Sequence, residues 1–178
     1  MTSLSTRLAF ATLLLAAFSL PARAQAPAPS AGCGNPATHF DVDTDRGLHP
    51  APQAPGRALV FFAQDDSNVA GFHKPIVRVG IDGKWVGATH GTSYFFFYVE
   101  PGEHHLCSDW QDMGFFSHKT QLSGALNFTA QAGGVYYFQI TNTFRGAART
   151  SAVLAPVTPS NPEDYLADYD FAFFHQLP

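Results

Sequence analysis

Residues 76–110 read IVRVGIDGKWVGATHGTSYFFFYVEPGEHHLCSDW, and the alternation inside this stretch sets the fold class. Val77, Val79 and Ile81 share one face of an extended chain, because successive side chains of a strand point to opposite sides. Asp82-Gly83 follows, a dipeptide favoured where both central residues of a type I′ turn take positive φ, and Lys84-Trp85-Val86-Gly87 returns. A second pair is expected from Ser93–Val99 and Glu103–Asp109, because Pro101 presets the first turn position and Gly102 accepts positive φ at the next. That hairpin would set Val99 opposite His104 and Phe97 opposite Leu106. In the strand between, Phe95, Phe97 and Val99 point one way and Tyr94, Phe96 and Tyr98 the other. A strand apolar on both faces belongs at the centre of a sheet.

Further short strands are expected on either side. Ala58–Ala63 precedes; Ala125–Ala130 and Val135–Thr141 follow, joined through Gly133-Gly134; Ser151–Ala155 and Phe171–Phe174 come last. Asn161-Pro162-Glu163-Asp164 is a helix start, with Asn as N-cap, Pro in the first turn and two acids beside the helix dipole. This helix is expected to end near Asp168. No stretch sustains a helical period, and short strands punctuated by turns argue an all-β, antiparallel, Ig-like β-sandwich over residues 57–178 with one short C-terminal helix.

The N-terminal segment reads differently. Arg7, the apolar run Leu8–Leu20 and Ala22-Arg23-Ala24 have the order of a secretory signal peptide over residues 1–24. The run is shorter than the roughly 20 apolar residues that cross a bilayer and ends at Pro21, so cleavage rather than anchoring is expected, and no later segment is apolar enough to span. Residues 25–56 form a Pro-rich arm, with a flexible QAPAPSAG leader and the extended coil LHPAPQAPG at 48–56. Positions 1–24 hold two arginines and no acid, so residues 25–178 carry 8 basic and 14 acidic side chains, a net −6. That balance argues against nucleic acid as a partner. In an oxidising compartment Cys33 and Cys107 are expected to pair. Chain-entropy arguments assign a loop of that length about 4 kcal/mol. With Glu103–Asp109 paired to the aromatic strand, Cys107 would share a face with Tyr94, Phe96 and Tyr98, and the disulfide-bound arm would cross that row.

The Asp82-Gly83 hairpin, Gly87, Ser93-Tyr94-Phe95-Phe96-Phe97 and Pro101-Gly102-Glu103-His104 together resemble the DUF2846 family of exported bacterial domains. The pattern continues through Leu126-Asn127-Phe128-Thr129-Ala130 and Gly134-Val135-Tyr136-Tyr137-Phe138 and covers about residues 57–178. The order of a DG hairpin and a PG-E-H turn is also similar to PEGA-type surface β-domains. The resemblance implies a β-sandwich and export, and brings no catalytic residue, ligand or cofactor with it.

Site chemistry is sparse. His104 and His105 are adjacent on a strand and point apart, and no H-x-H or HExxH spacing occurs; His90, His104 and His118 are the remaining candidates for a metal constellation. There is no G-x-S-x-G elbow, and a bridged Cys107 is not a nucleophile. The carboxylate pairs Asp65/Asp66, Glu100/Glu103 and Asp109/Asp112 have no cleft assigned to them by sequence. The reading is therefore an exported, non-enzymatic interaction or structural module of the cell envelope without cofactor or metal, its partner an envelope protein or a glycan. The alternative is glycan binding on an aromatic face drawn from Tyr94, Phe96, Tyr98 and Trp110, with Trp85 and an apolar patch at Phe115-Phe116.

Overall fold

The computed structural model describes residues 33–67, 74–111, 121–144 and 150–178. Residues 1–24, expected as a signal peptide, the QAPAPSAG segment, Asp112, Phe115, Phe116 and His118 lie outside them. Ten strands and one helix follow in the order β1 (Phe40–Asp45), β2 (Ala58–Asp65), β3 (Ile76–Ile81), β4 (Lys84–His90), β5 (Ser93–Val99), β6 (Gly102–Trp110), β7 (Gln121–Ala130), β8 (Val135–Phe144), β9 (Thr150–Val157), α1 (Pro162–Leu166) and β10 (Asp170–Gln176). The hydrogen-bonded order is β1-β10-β5-β2-β8-β9-β7-β6-β3-β4. The first six strands form one layer and β7-β6-β3-β4 the other, joined where Gln121–Ser123 of β7 runs parallel to β9. The fold is nearly all β, and β4 returns against β1, β10 and β5 to close the open side.

The layers bury one interior. Val60, Phe62, Phe95, Phe138 and Ile140 come from the first layer, and Val77, Val79 and Leu106 from the second. These are the alternate residues of each strand, as period-two patterning requires. The β3–β4 turn is built as expected: Asp82 and Gly83 have φ of 50° and 80°, and Ile81 faces Lys84.

The second expected hairpin does not form. Glu100 and Pro101 carry the chain out of one layer into the other. Val99 lies opposite Ala58, and Leu106 lies opposite both Ile81 and Leu126. The competition is for strand edges. β2 pairs with the whole length of β5 on one side and β10 takes the start of the other, while β3 and β7 take both edges of β6. Gly102, at φ 145°, adopts a backbone that L side chains rarely take, and the crossover ends there as β6 begins. Gly133-Gly134 likewise joins β7 to β8 across layers, so these strands are not partners. Three pairings, β2 with β8, β10 with β5 and β7 with β9, are parallel rather than antiparallel.

Two consequences correct the sequence reading. Tyr94, Phe96 and Tyr98 are in a different layer from His105, Cys107 and Asp109, so they share no face with them. Phe97, which shares a face with the buried Phe95 and Val99 and by that alternation belongs in the core, is 37% exposed. It points inward beside Val60, but β10 pairs with β5 only at Ser93 and Tyr94, which leaves Phe97 at an open flank.

Candidate functional site

The first layer buries a second, outer apolar cluster. β2 contributes Leu59, Phe61 and Ala63, its outward alternates, and β5 contributes Tyr94 with Phe96 and Tyr98 packed beside it. Tyr137 of β8 lies opposite Phe61 in the parallel β2–β8 pair, and the two rings stack at 4.9 Å and 6°. Phe171 of β10 closes edge-on against Tyr94 at 5.4 Å. Rings in such contact add about 0.5–1.5 kcal/mol per pair beyond the area they bury.

Two segments lie over these rings. His49–Pro52 of the Pro-rich coil is one; the His49 ring stacks on Tyr94 at 6.3 Å and 11°, and Tyr94 is only 1% exposed. The other is α1. Asn161 caps it by accepting from the Glu163 amide, Pro162 stands in the first turn, and Leu166 turns down onto the rings. Tyr165 meets Tyr137 edge-on at 5.9 Å. Between coil and helix a cleft of about 430 Å³ remains open. Phe61, Tyr94 and Tyr137 form its floor, His49, Pro50 and Pro52 one wall, and Pro162, Glu163 and Leu166 the other. Burial pushes the Tyr94 and Tyr137 phenols above their ordinary range, so the floor is neutral at any physiological pH. It offers apolar rings edged by hydroxyls and no activated nucleophile.

The sequence candidates divide. Tyr94, Phe96 and Tyr98 do lie together, with Tyr94 covered and the other two half-buried. Arg57 sits 4.4 Å over the Tyr98 ring. Neighbouring rings take mixed angles, 74° between Phe96 and Tyr98, 37° between Phe96 and Phe171 and 89° between Phe171 and the exposed Phe173. Trp110 is elsewhere. It packs against the inner core at the end of β6 and donates to Asn142 Oδ1 at 2.8 Å. Asn142 in turn donates to the fully buried Asp66, whose other oxygen accepts from Gln64. Burial drives Asp66 above the usual carboxylate range despite those bonds, and the network ties the ends of β2, β6 and β8 together. Trp85 lies under the N-terminal arm and donates to the Asn35 carbonyl. Cys33 and Cys107 are bonded, with Cα atoms 5.6 Å apart, on the outer face of the second layer. Gly80 makes this possible, because a Cβ there would stand 2.6 Å from the Cys33 carbonyl and 2.8 Å from Cys107 Sγ. Among the described residues no three His, Cys, Asp or Glu side chains converge. His104 bonds Asp82, while His90 ends β4 next to Ser93.

The sequence reading missed Phe61, Tyr137, Phe171 and both walls. Tyr136-Tyr137 and Phe61-Phe62 were visible as strand residues, but which alternate faces outward depends on register. The coil and helix are far apart in sequence, and only the fold brings them over one floor.

These features define a two-layer β domain with a half-covered aromatic outer face. The chain belongs to the DUF2846 family, described as a protein of unknown function, whose model matches residues 54–152. No curated protein and no solved structure matches it. The matched segment contains the whole floor, Phe61, Tyr94 and Tyr137, whereas both walls, His49–Pro52 and α1, flank it. No helix among the described residues is long and apolar enough to cross a membrane.

Proposed function

We propose that this chain is an exported, non-catalytic module of the cell envelope that acts by holding an extended, proline-containing segment of another envelope protein in the cleft over Phe61, Tyr94 and Tyr137. The observation that carries this reading is the cleft itself, which Pro50 and Pro52 of the chain's own coil line together with Phe61, Tyr94 and Tyr137. Aromatic-lined grooves take prolyl segments at low entropic cost, because such segments are already extended when free. Export is supported by the signal pattern in residues 1–24 and by the Cys33–Cys107 disulfide. A non-catalytic role is supported by the neutral phenols of the floor and by the occupied carboxylate of Asp66.

The test is a titration of the purified exported protein, followed by two-dimensional NMR, with an Ala-Pro octapeptide, its all-Ala counterpart and a set of oligosaccharides. Saturable shifts of cleft residues with the prolyl peptide alone, lost in Ala167→Arg at the cleft wall, are expected. Saturable oligosaccharide binding, or equal response to both peptides, would overturn the reading. Recovery of the chain from the cytoplasm with residues 1–24 attached would overturn its exported part.

A further inference from the structure

At the end of the molecule where the β3–β4 hairpin meets the β5–β6 crossover, one side chain bridges two backbone features. His104 Nδ1 lies 2.7 Å from Asp82 Oδ2, and its Nε2 lies 2.7 Å from the Glu100 carbonyl oxygen. The carbonyl only accepts, and so does an ionised carboxylate. Asp82 is tied further, since its Oδ1 accepts the His105 amide at 2.8 Å. Both ring nitrogens of His104 must therefore donate, which only the imidazolium does. A neutral ring would turn a lone pair toward either Asp82 or Glu100, so loss of the proton necessarily breaks one end of the bridge. The ring is 12% exposed and leans on Phe128 at 5.6 Å, which holds it in line with both acceptors.

We infer that His104 is a proton-operated latch: protonated, it clips the β5–β6 crossover to the tip of the β3–β4 hairpin, and deprotonated, it lets the crossover and the Val99 end of the aromatic strand go. The inference is independent of what occupies the cleft. The neighbouring ionisable groups are Lys84 after the hairpin turn, Glu100 and Glu103 around the crossover, and His105, whose ring points away and pairs with Asn127. Burial alone would pull the His104 proton off, but the Glu100 carbonyl and the Asp82 carboxylate outweigh it and raise the pKa. For Asp82, burial opposes ionisation, and the His105 amide and His104 outweigh it and lower the pKa. Folding thus strengthens proton binding at His104. The latch contributes fully below the ordinary histidine range and is lost as pH rises through the raised value.

The test is NMR of the histidine rings and backbone amides of the exported protein between pH 5 and pH 9. His104 is expected to titrate above the free-histidine value. The amides of Asp82, Gly83 and Gly102 should move with the same midpoint. Asp82→Asn keeps a residue tolerant of positive φ and an acceptor for the His105 amide; it should bring the His104 midpoint down toward the free value. His104→Gln has a single donor group and should abolish the shared step. A His104 midpoint at or below the free value, or one unmoved by Asp82→Asn, would overturn the latch. If His104→Gln does not fold, Asp82→Asn and the wild-type titration still give the answer.

Discussion

The two outer faces of this sandwich are covered by opposite means. Over the second layer the chain from Cys33 to Thr38 is held by directional bonds. The disulfide fixes its start, Trp85 donates to the Asn35 carbonyl, and Arg78, 4% exposed, donates to the carbonyls of Pro36 and Thr38 while pairing with Asp109 at 3.0 Å. Over the first layer the cover is rings, prolines and one turn and a half of helix, packed on Phe61, Tyr94 and Tyr137. Bonds of fixed length draw a segment tightly onto its sheet. Ring packing is non-directional and fills space only where shapes match. Over the first layer a cleft remains. On this face the coil's polar tie to the floor, among the described contacts, is between the Tyr94 hydroxyl and His49 Nδ1 at 3.5 Å, which suits it to taking the partner segment proposed above.

The contrast predicts unequal losses. The largest is at the floor of the aromatic face: Tyr94→Ala removes a fully buried ring that His49, Phe61 and Phe171 touch, and should cost about 4 kcal/mol in denaturant unfolding. A loss under about 1 kcal/mol would mean that this face is not part of the folding unit.

Next comes the pinned face. Replacing both Cys33 and Cys107 by Ser should lower stability by about 3 kcal/mol, within the range for a native disulfide closing a long loop. Proteolysis should then cut first between residues 34 and 38. Unchanged protection there would show that Arg78 and Trp85 hold the arm by themselves.

A smaller, pH-dependent difference is expected at Arg78–Asp109. Burial raises the Asp109 pKa, and the Arg78 guanidinium only partly offsets it. The folded state therefore holds the Asp109 proton more tightly than the unfolded chain. This group adds stability below the unfolded carboxylate value and withdraws it as pH rises through the folded one. The thermal midpoint of wild type relative to Asp109→Asn should accordingly improve on acidification from pH 7. A relative fall would mean that the ion pair outweighs burial. The smallest effect on stability is at the cleft mouth, where Ala167 is exposed: Ala167→Arg should change folding by less than about 0.5 kcal/mol while removing peptide binding.

Much of the pinned face was legible beforehand. An even cysteine pair behind a signal-like N-terminus points to a disulfide, and Asp82-Gly83 points to its turn, because both signals are local or compositional. The aromatic face was legible only as a list of rings. Tyr94, Phe96 and Tyr98 were assigned to the outward alternates correctly. Their layer was wrong, because Pro101-Gly102 fits a hairpin and a crossover equally well by local chemistry.

What the sequence by itself determined is the extended segments from Ala58 onward, the helix cap at Asn161, the type I′ turn and the disulfide, each fixed by local or compositional signals, whereas β1 (Phe40–Asp45) fell inside the segment read as a Pro-rich arm. What only the tertiary structure decided is which edges those segments take. β2 rather than β6 pairs with β5, Phe97 falls at an open flank, and the coil at His49–Pro52 meets α1 over Phe61, Tyr94 and Tyr137. The physical reason is that every strand presents the same backbone donors and acceptors at its edges. Partner choice therefore rests on the burial of both faces over the whole molecule, a quantity that no window of sequence contains.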